Sequence, residues 1–329
     1  MEIVNLGNTK LHVSRIGMGT AAIGRPGYIN IGHDKDIAGS TDKAAMMERS
    51  HGMFDIAYTA GIRYFDTARS YGEGEAFLAE WIHARGHNDV VIGSKWGYIY
   101  TADWQIKAEK HEVKDHSLSN LQTQYAESKG LLDNKLNLYQ IHSATLETGV
   151  LDDQAVLNAI SKIKQKGIRV GLTLSGNNQG EVLNKALKIK KDRELLFDTV
   201  QATFNVLEQS VGEALKQAYE AGMGIIIKEG VANGRLTDSN KDETDANILN
   251  ALRRIGNSYN ADPDTIALAY ILHQPWAQVV LSGASTPQQL RSNALAESIR
   301  LNNEDLQILR SMAVGPDVYW DKRSQLVWN

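Results

Sequence analysis

The sequence predicts a single α/β domain, a (β/α)8 barrel of the TIM type with a β-hairpin at its amino end. Three observations carry this. Short apolar runs alternate with helix-like segments eight times along the 329 residues, as a parallel sheet covered by helices requires. The first residues instead alternate polar and apolar on either side of Gly7-Asn8, a hairpin pattern. No Gly-x-Gly-x-x-Gly follows the first apolar strand, which disfavours the doubly wound open sheet, the other architecture with this alternation.

The hairpin arms are Glu2 to Leu6 and Lys10 to Ile16, and Ile16 to Gly19 is the first barrel strand. Met46 to Ala60 has helical periodicity and stops at Gly61. Ile62 to Phe65 is strand and Glu75 to Ala84 helix; Val90 to Ser94 is strand, and a helix lies within Ser117 to Leu132. Leu136 to Ile141 is strand, followed by a helix from Asp152 to Lys166 that ends at Gly167. Arg169 to Leu174 and Phe197 to Thr203 are strands, each leading to a helix, Glu181 to Lys191 and Gly212 to Ala221. Gly224 to Ile227 is the seventh strand, with helices over Ala246 to Tyr259 and Pro263 to Gln274. Gln278 to Leu281 is the eighth, and Pro287 to Glu297 its helix. No linker, low-complexity stretch or internal repeat divides the chain, so residues 1–329 are expected to form one domain.

Composition narrows the function. Lys plus Arg total 35 against 39 Asp plus Glu, a net charge of −4 without a basic cluster. That argues against nucleic acid or an anionic membrane as the main partner. There is no cysteine, which removes disulfides, thiolate catalysis and cysteine-ligated metal. The N-terminus lacks the apolar core of a signal peptide, and no run approaches the roughly 20 residues of a membrane span. A soluble cytoplasmic protein is expected.

Barrel active sites form at the carboxyl ends of the strands. Asp66 ends the second strand in Arg-Tyr-Phe-Asp, and Tyr71 lies in the polar turn behind it. Lys95 ends the third strand and His142 the fourth. Each has an ordinary explanation alone: a helix cap, an aromatic lid, a solvated charge, a satisfied core histidine. Together at one rim they describe a proton donor and its surroundings. A tyrosine titrates near 10. A neighbouring lysine would lower that value, a carboxylate would keep the lysine charged and aimed, and a histidine would orient a substrate oxygen.

The segments Gly-Ile-Arg-Tyr-Phe-Asp-Thr-Ala-Arg-Ser-Tyr-Gly, Val-Val-Ile-Gly-Ser-Lys and Leu-Tyr-Gln-Ile-His resemble the three catalytic strands of the aldo-keto reductases. Ser-Gly-Ala-Ser-Thr-Pro from Ser282 resembles that family's nucleotide-binding stretch, and the opening hairpin its barrel-bottom plug. The resemblance covers nearly the whole chain. It implies a metal-free NAD(P)(H)-dependent carbonyl reductase or alcohol dehydrogenase in which Tyr71 is the general acid/base, Asp66 and Lys95 tune it, and His142 orients the carbonyl. It implies that Ser282, Gly283, Ala284, Gln289 and Asn293 face the adenosine phosphate and adenine, that Gln201 touches the nicotinamide amide with Asn205 close by, and that Gly19 and Thr20 lie near the ring. Small residues before Pro287 would independently let backbone N–H groups meet an anion at a helix N-terminus.

Three places depart from the family pattern. The fifth strand ends Gly-Leu-Thr-Leu-Ser, so Thr173 stands where a carboxamide-gripping serine is usual and Leu174 where the asparagine is, with Ser175 or Asn177 as the substitute. Lys228 stands where an aromatic often supports the nicotinamide. Ser285 and Gln289 occupy the places of the Arg or Lys that often clamps the 2′-phosphate. Family habit names NADP(H) first; the missing clamp weakens that preference and makes NAD(H) the alternative. The 24–41 loop, the aromatics Trp96, Tyr98, Tyr100 and Trp104, and the final segment are expected to shape a pocket for a small carbonyl or sugar, with Trp328 packing on the surface. Two other readings are a nucleotide-sensing, non-catalytic subunit of a channel, and a barrel enzyme using Lys95 as a Schiff base.

Overall fold

Residues 1–37 and 39–329 are described by the computed structural model; Ala38, within the 24–41 loop, lies outside the described residues. The chain opens with an antiparallel hairpin, β1 (Ile3–Asn5) and β2 (His12–Ser14). In chain order the strands then run β3 (Ile16–Gly19), β4 (Tyr64–Asp66), β5 (Val91–Trp96), β6 (Tyr98–Tyr100), β7 (Glu112–Lys114), β8 (Leu136–Ala144) and β9 (Arg169–Leu174). They continue with β10 (Lys190–Lys191), β11 (Glu194–Leu195), β12 (Thr199–Thr203), β13 (Gly224–Lys228) and β14 (Val279–Ser282). The helices are α1 (His33–Asp36), α2 (Lys43–Thr59), α3 (Gly74–Arg85), α4 (Leu118–Leu132), α5 (Gln154–Gln165) and α6 (Gln179–Ala186). They continue with α7 (Gly212–Glu220), α8 (Ala246–Tyr259), α9 (Pro263–Leu272), α10 (Pro287–Leu295), α11 (Asn303–Ser311) and α12 (Pro316–Ser324).

Eight parallel strands close into a barrel in the order β3, β4, β5, β8, β9, β12, β13, β14 and back to β3. The expected (β/α)8 barrel is thus the observed fold. Tyr64, Val91, Leu138, Ile226, Val279 and Leu281 share a buried cluster with Leu6 and Val13 of the hairpin. The hairpin therefore plugs the amino end of the barrel with apolar side chains. Tyr64 fits the interior only because Gly17 and Gly93 leave room; a Cβ on Gly93 would stand 2.4 Å from the Tyr64 hydroxyl. Outside the strands, Phe54 and Trp81 of the flanking helices pack on Phe65 of β4. No helix among the described residues is long and apolar enough to cross a membrane.

Several boundaries differ from the sequence reading. α2 begins earlier than Met46 because Asp42 caps it, accepting from Ala45 N at 3.0 Å. The helix expected over Glu181 to Lys191 stops at Ala186, and its last residues become β10 of a small hairpin. Asp192 and Arg193 turn that hairpin with φ of 51° and 70°. Such two-residue turns usually advertise themselves by Asn or Gly, and here neither is present. The loop after the third barrel strand holds an unexpected hairpin, β6 with β7.

Candidate active site

The strand ends deliver the four expected side chains to one place. Asp66 pairs in register with Gly19 of β3 and Gly93 of β5. Beyond it the chain closes a tight turn against the first loop: Glu73 N donates to Gly24 O at 2.8 Å, and Gly74 N to Tyr71 O at 3.0 Å. A Cβ on Gly24 would lie 2.5 Å from Tyr71 O, and one on Gly72, at φ +60°, 2.6 Å from Gly24 O. Glycine at both positions is what lets Tyr71 sit over the strand ends. Lys95 is carried by β5. His142 is re-aimed by a register shift between Ile141 and Ala144 of β8, where Ser143 has a φ of 52°. Thr173 Oγ1 steadies that bulge by accepting from Ser143 N at 2.7 Å.

Lys95 Nζ forms an ion pair with Asp66 Oδ2 and donates to Thr67 O at 2.9 Å and to the Tyr71 hydroxyl at 3.4 Å. The Tyr71 hydroxyl is also 3.4 Å from His142 Nε2. Asp66 Oδ1 accepts from Gln201 Nε2 at 2.9 Å and Tyr64 OH at 3.1 Å. Both contacts to Tyr71 are long, at 3.4 Å.

The electrostatics correct one expectation. Lys95 does not bring the Tyr71 hydroxyl down. Burial, then the Asp66 charge, push it well above its ordinary value. Lys95 is paired with Asp66, so little net positive charge faces the phenol, while desolvation penalises the phenolate. Burial and the Lys95 cation hold His142 well below its usual range. A protonated phenol and a neutral imidazole therefore face the same space.

That space is a cavity of 290 Å³ whose lining includes Gly19, Asp66, Tyr71, His142, Gln201, Lys228, Ser282 and Gly283. Burial lowers Lys228 to about 8, and its Nζ donates to Thr203 Oγ1 at 2.7 Å. Burial raises Glu229, but Arg323 and Lys228 outweigh this and hold it at about 2. At the mouth, Arg25 is 2% exposed; its Nη1 donates to Ser70 O at 2.9 Å and to Glu112 Oε2 at 3.0 Å. Its guanidinium lies 5.3 Å from the Tyr71 ring and 4.6 Å from the Trp328 ring. Trp328 thus lines the cavity instead of packing on the surface. Tyr28 and Asn329 exchange two backbone hydrogen bonds of 3.0 Å, which draw the end of the sequence over the mouth.

A second cavity, of 800 Å³, adjoins the first and shares Asn30, Val231 and Gly283 with it. Ala284, Gln289 and Asn293 line it. It lies at the N-terminus of α10, where Thr286 caps by accepting from Gln289 N at 3.3 Å. Asn293 bridges Ser282 Oγ and the Asp264 carboxylate, 2.8 Å from each. Two expected contacts point elsewhere. Thr20 is fully buried, with its hydroxyl 2.9 Å from that of Thr67, and Thr173 is spent on the bulge. Asn205 is also buried; it donates to Glu229 O and Tyr319 OH and accepts from Leu207 N. Ser175 reaches the first cavity, whereas Asn177 bonds Asp317 at 2.5 Å. Local pattern does not mark Arg25 or Glu112, which a loop and the β6–β7 hairpin bring over distant strand ends, nor Ser143, which the bulge beside His142 turns into the cavity.

A sequence profile of the Aldo/keto reductase family matches residues 15–314. The chain is 24% identical over 342 residues to the NADH-specific methylglyoxal reductase of Escherichia coli (strain K12), covering 95% of this chain and 98% of that one. It is 23% identical over 328 residues to the aryl-alcohol dehydrogenase (NADP(+)) of Phanerodontia chrysosporium, covering 91% and 82%. The holo form of an aldo-keto reductase from Bacillus halodurans superposes with a TM-score of 0.73 at 22% identity, over 96% of this chain and 97% of that one.

Proposed function

The chain belongs to the aldo/keto reductase family, and from that premise we propose that it is a one-domain enzyme, residues 1–329, that interconverts a small aldehyde, ketone or sugar with its alcohol using NAD(P)(H). The observation that carries this reading is the Tyr71 hydroxyl, within reach of both Lys95 Nζ and His142 Nε2 at the floor of a cavity.

The residues present fit a nicotinamide dinucleotide. Two joined cavities run from the Tyr71 site to the N-terminus of α10, an end that favours phosphate oxygens. Gly283 sits where they meet, and a Cβ there would have open space before Asn30 at 4.0 Å. Gly19, Gln201 and Lys228 would hold the nicotinamide end; Ser282, Gly283, Ala284, Gln289 and Asn293 would hold the rest. When bound, the cofactor supplies or accepts the hydride.

The protein handles the proton and the orientation. In reduction Tyr71 Oη gives its proton to the carbonyl oxygen as negative charge develops there. Neutral His142 directs a hydrogen bond at the same oxygen. Lys95 Nζ donates a hydrogen bond to the Tyr71 oxygen and keeps it in place, and Asp66, held by Gln201 and Tyr64, keeps that donor aimed. In oxidation the phenolate takes the proton back.

The mouth alternates donors and acceptors: Arg25, Tyr98, Glu112, Ser143 and Ser175, beside the Trp328 ring. That lining suits a short carbonyl compound carrying further hydroxyl or carbonyl oxygens. The relatives' named substrates, methylglyoxal and aryl alcohols, are likewise small. Trp328→Ala should raise KM for such substrates roughly tenfold, the worth of one aromatic contact of about 1–1.5 kcal/mol, with nucleotide affinity unchanged. An unchanged KM would remove Trp328 from the substrate site.

The test of the whole reading is turnover of short aldehydes, dicarbonyls and aldoses with NADH or NADPH, followed by loss of reduced-nicotinamide absorbance. Nucleotide binding without turnover of any of them would favour a nucleotide-sensing role.

A further inference from the structure

We propose that the Asp36 carboxylate makes this protein select NADH over NADPH. The inference rests on the nucleotide-binding reading above and decides which of the two nucleotides the site takes.

Asp36 ends α1, far from α10 in sequence, yet its Oδ2 accepts from Ser285 Oγ at 2.9 Å and from Gln289 Nε2 at 2.7 Å. Gln289 Oε1 in turn accepts from Ser285 N at 3.0 Å. Ser285 and Gln289 are the two positions at which the family resemblance leads one to expect a cation for the 2′-phosphate. Here both are neutral, and both are already bonded to an anion. The segment leading into Asp36 is anchored twice: Ile31 N donates to Asn233 O at 3.0 Å, and Asp34 N to Asn329 Oδ1 at 3.0 Å. Asp36 is therefore part of the cavity wall and not a side chain passing over it.

The rest of the wall has the same sign. Among the described residues lining this cavity, Asp36, Asp238, Asp262 and Asp264 are acidic, and Arg291 is the single Arg or Lys. Arg253 engages Asp238 at 2.8 Å from outside. Arg291 makes no ion pair among the described residues and is exposed on α10.

The two nucleotides differ only at the adenosine ribose, where NADPH carries a 2′-phosphate of about −1.5 to −2 charge and NADH a hydroxyl. An ionised carboxylate only accepts hydrogen bonds. It can take one from a hydroxyl but has nothing to offer a phosphate, and the like charges repel in a partly enclosed space. Among the described residues Asp36 Oδ1 has no protein donor, so it remains open to a ribose hydroxyl. Selection therefore works both ways: NADH gains an acceptor, and NADPH meets an anion where it needs a cation.

The experiment is direct measurement of dissociation constants for NADH and NADPH by quenching of tryptophan fluorescence, in the parent, Asp36→Asn, and Asp36→Asn combined with Gln289→Arg. The parent should bind NADH more tightly by about 30-fold or more, the size of one charge-assisted contact. Asp36→Asn should reduce that ratio at least about fivefold, chiefly by tightening NADPH, and adding Gln289→Arg should reverse it. Thermal melting of each variant checks that the fold is retained. A parent that binds NADPH as tightly as NADH, or an Asp36→Asn ratio equal to the parent's, would overturn the inference while leaving the reductase reading intact. Failure of the parent to bind either nucleotide would overturn both.

Discussion

Tyr71→Phe should lower turnover by about 10²- to 10⁴-fold or more, the worth of a positioned general acid, while the dissociation constant of the nucleotide stays nearly unchanged. The ring keeps its place against His142, 5.5 Å between centroids, and loses only the hydroxyl that carries the proton. The direction of the Tyr71 shift adds a pH signature. Burial and Asp66 hold Tyr71 as a phenol well beyond its ordinary range. The donor is therefore fully protonated at neutral and mildly alkaline pH, and carbonyl reduction at saturating substrate should be flat from about pH 6 to 9. Alcohol oxidation needs the phenolate, whose population rises about tenfold per pH unit below the pKa, so oxidation should climb over the same range. Lys228, lowered to about 8, titrates within it and should weaken binding of the anionic nucleotide as pH rises; saturating nucleotide removes that contribution. A reduction rate that falls between pH 7 and 9 would mean that Lys95, not burial, governs Tyr71. A Phe variant with near-normal turnover would show that the proton comes from elsewhere.

Lys95→Met should cost both activity and stability. The ion pair it makes with Asp66 is almost wholly enclosed, with side-chain exposures of 0% and 3%. Removing the cation strands a buried carboxylate, a change worth about 3–5 kcal/mol of unfolding free energy. Asp66 keeps the donors of Gln201 and Tyr64, which moderates the loss but cannot replace a charge. The double variant Lys95→Met with Asp66→Asn should recover most of the stability, because no unpaired charge remains, and should stay inactive, because the Tyr71 hydroxyl has lost the Lys95 donor that positions it. Denaturant midpoints and turnover for the three proteins separate the two roles. A single variant as stable as the parent would mean that Asp66 is relieved by water or by a proton.

Much of this molecule was legible in its residues. β9 and α8 appear with the bounds expected, because apolar periodicity is unbroken from Arg169 to Leu174 and from Ala246 to Tyr259 and both ends carry clear stops. The clustering of Asp66, Tyr71, Lys95 and His142 was legible because each lies at or just after the end of a strand, and a closed parallel barrel brings consecutive strand ends together. Where local signals were mixed, boundaries slipped. The lysine-rich run after Ala186 continues a helical pattern, yet Asp192 and Arg193 turn it into a hairpin.

Which side chains gather at the barrel rim, then, follows from order along the chain, since side-chain alternation and turn chemistry act over a few residues. What those side chains face does not. Asp36 meets Ser285 across 249 residues, Trp328 reaches Arg25 from the far end of the sequence, and Thr173 turns from the cofactor to a neighbouring bulge. The sign of the Tyr71 shift was equally hidden. Desolvation and charge pairing depend on distances and burial that exist only once the chain has closed, and the same lysine that lowers a tyrosine in water does little to it when its charge is already matched by a buried aspartate.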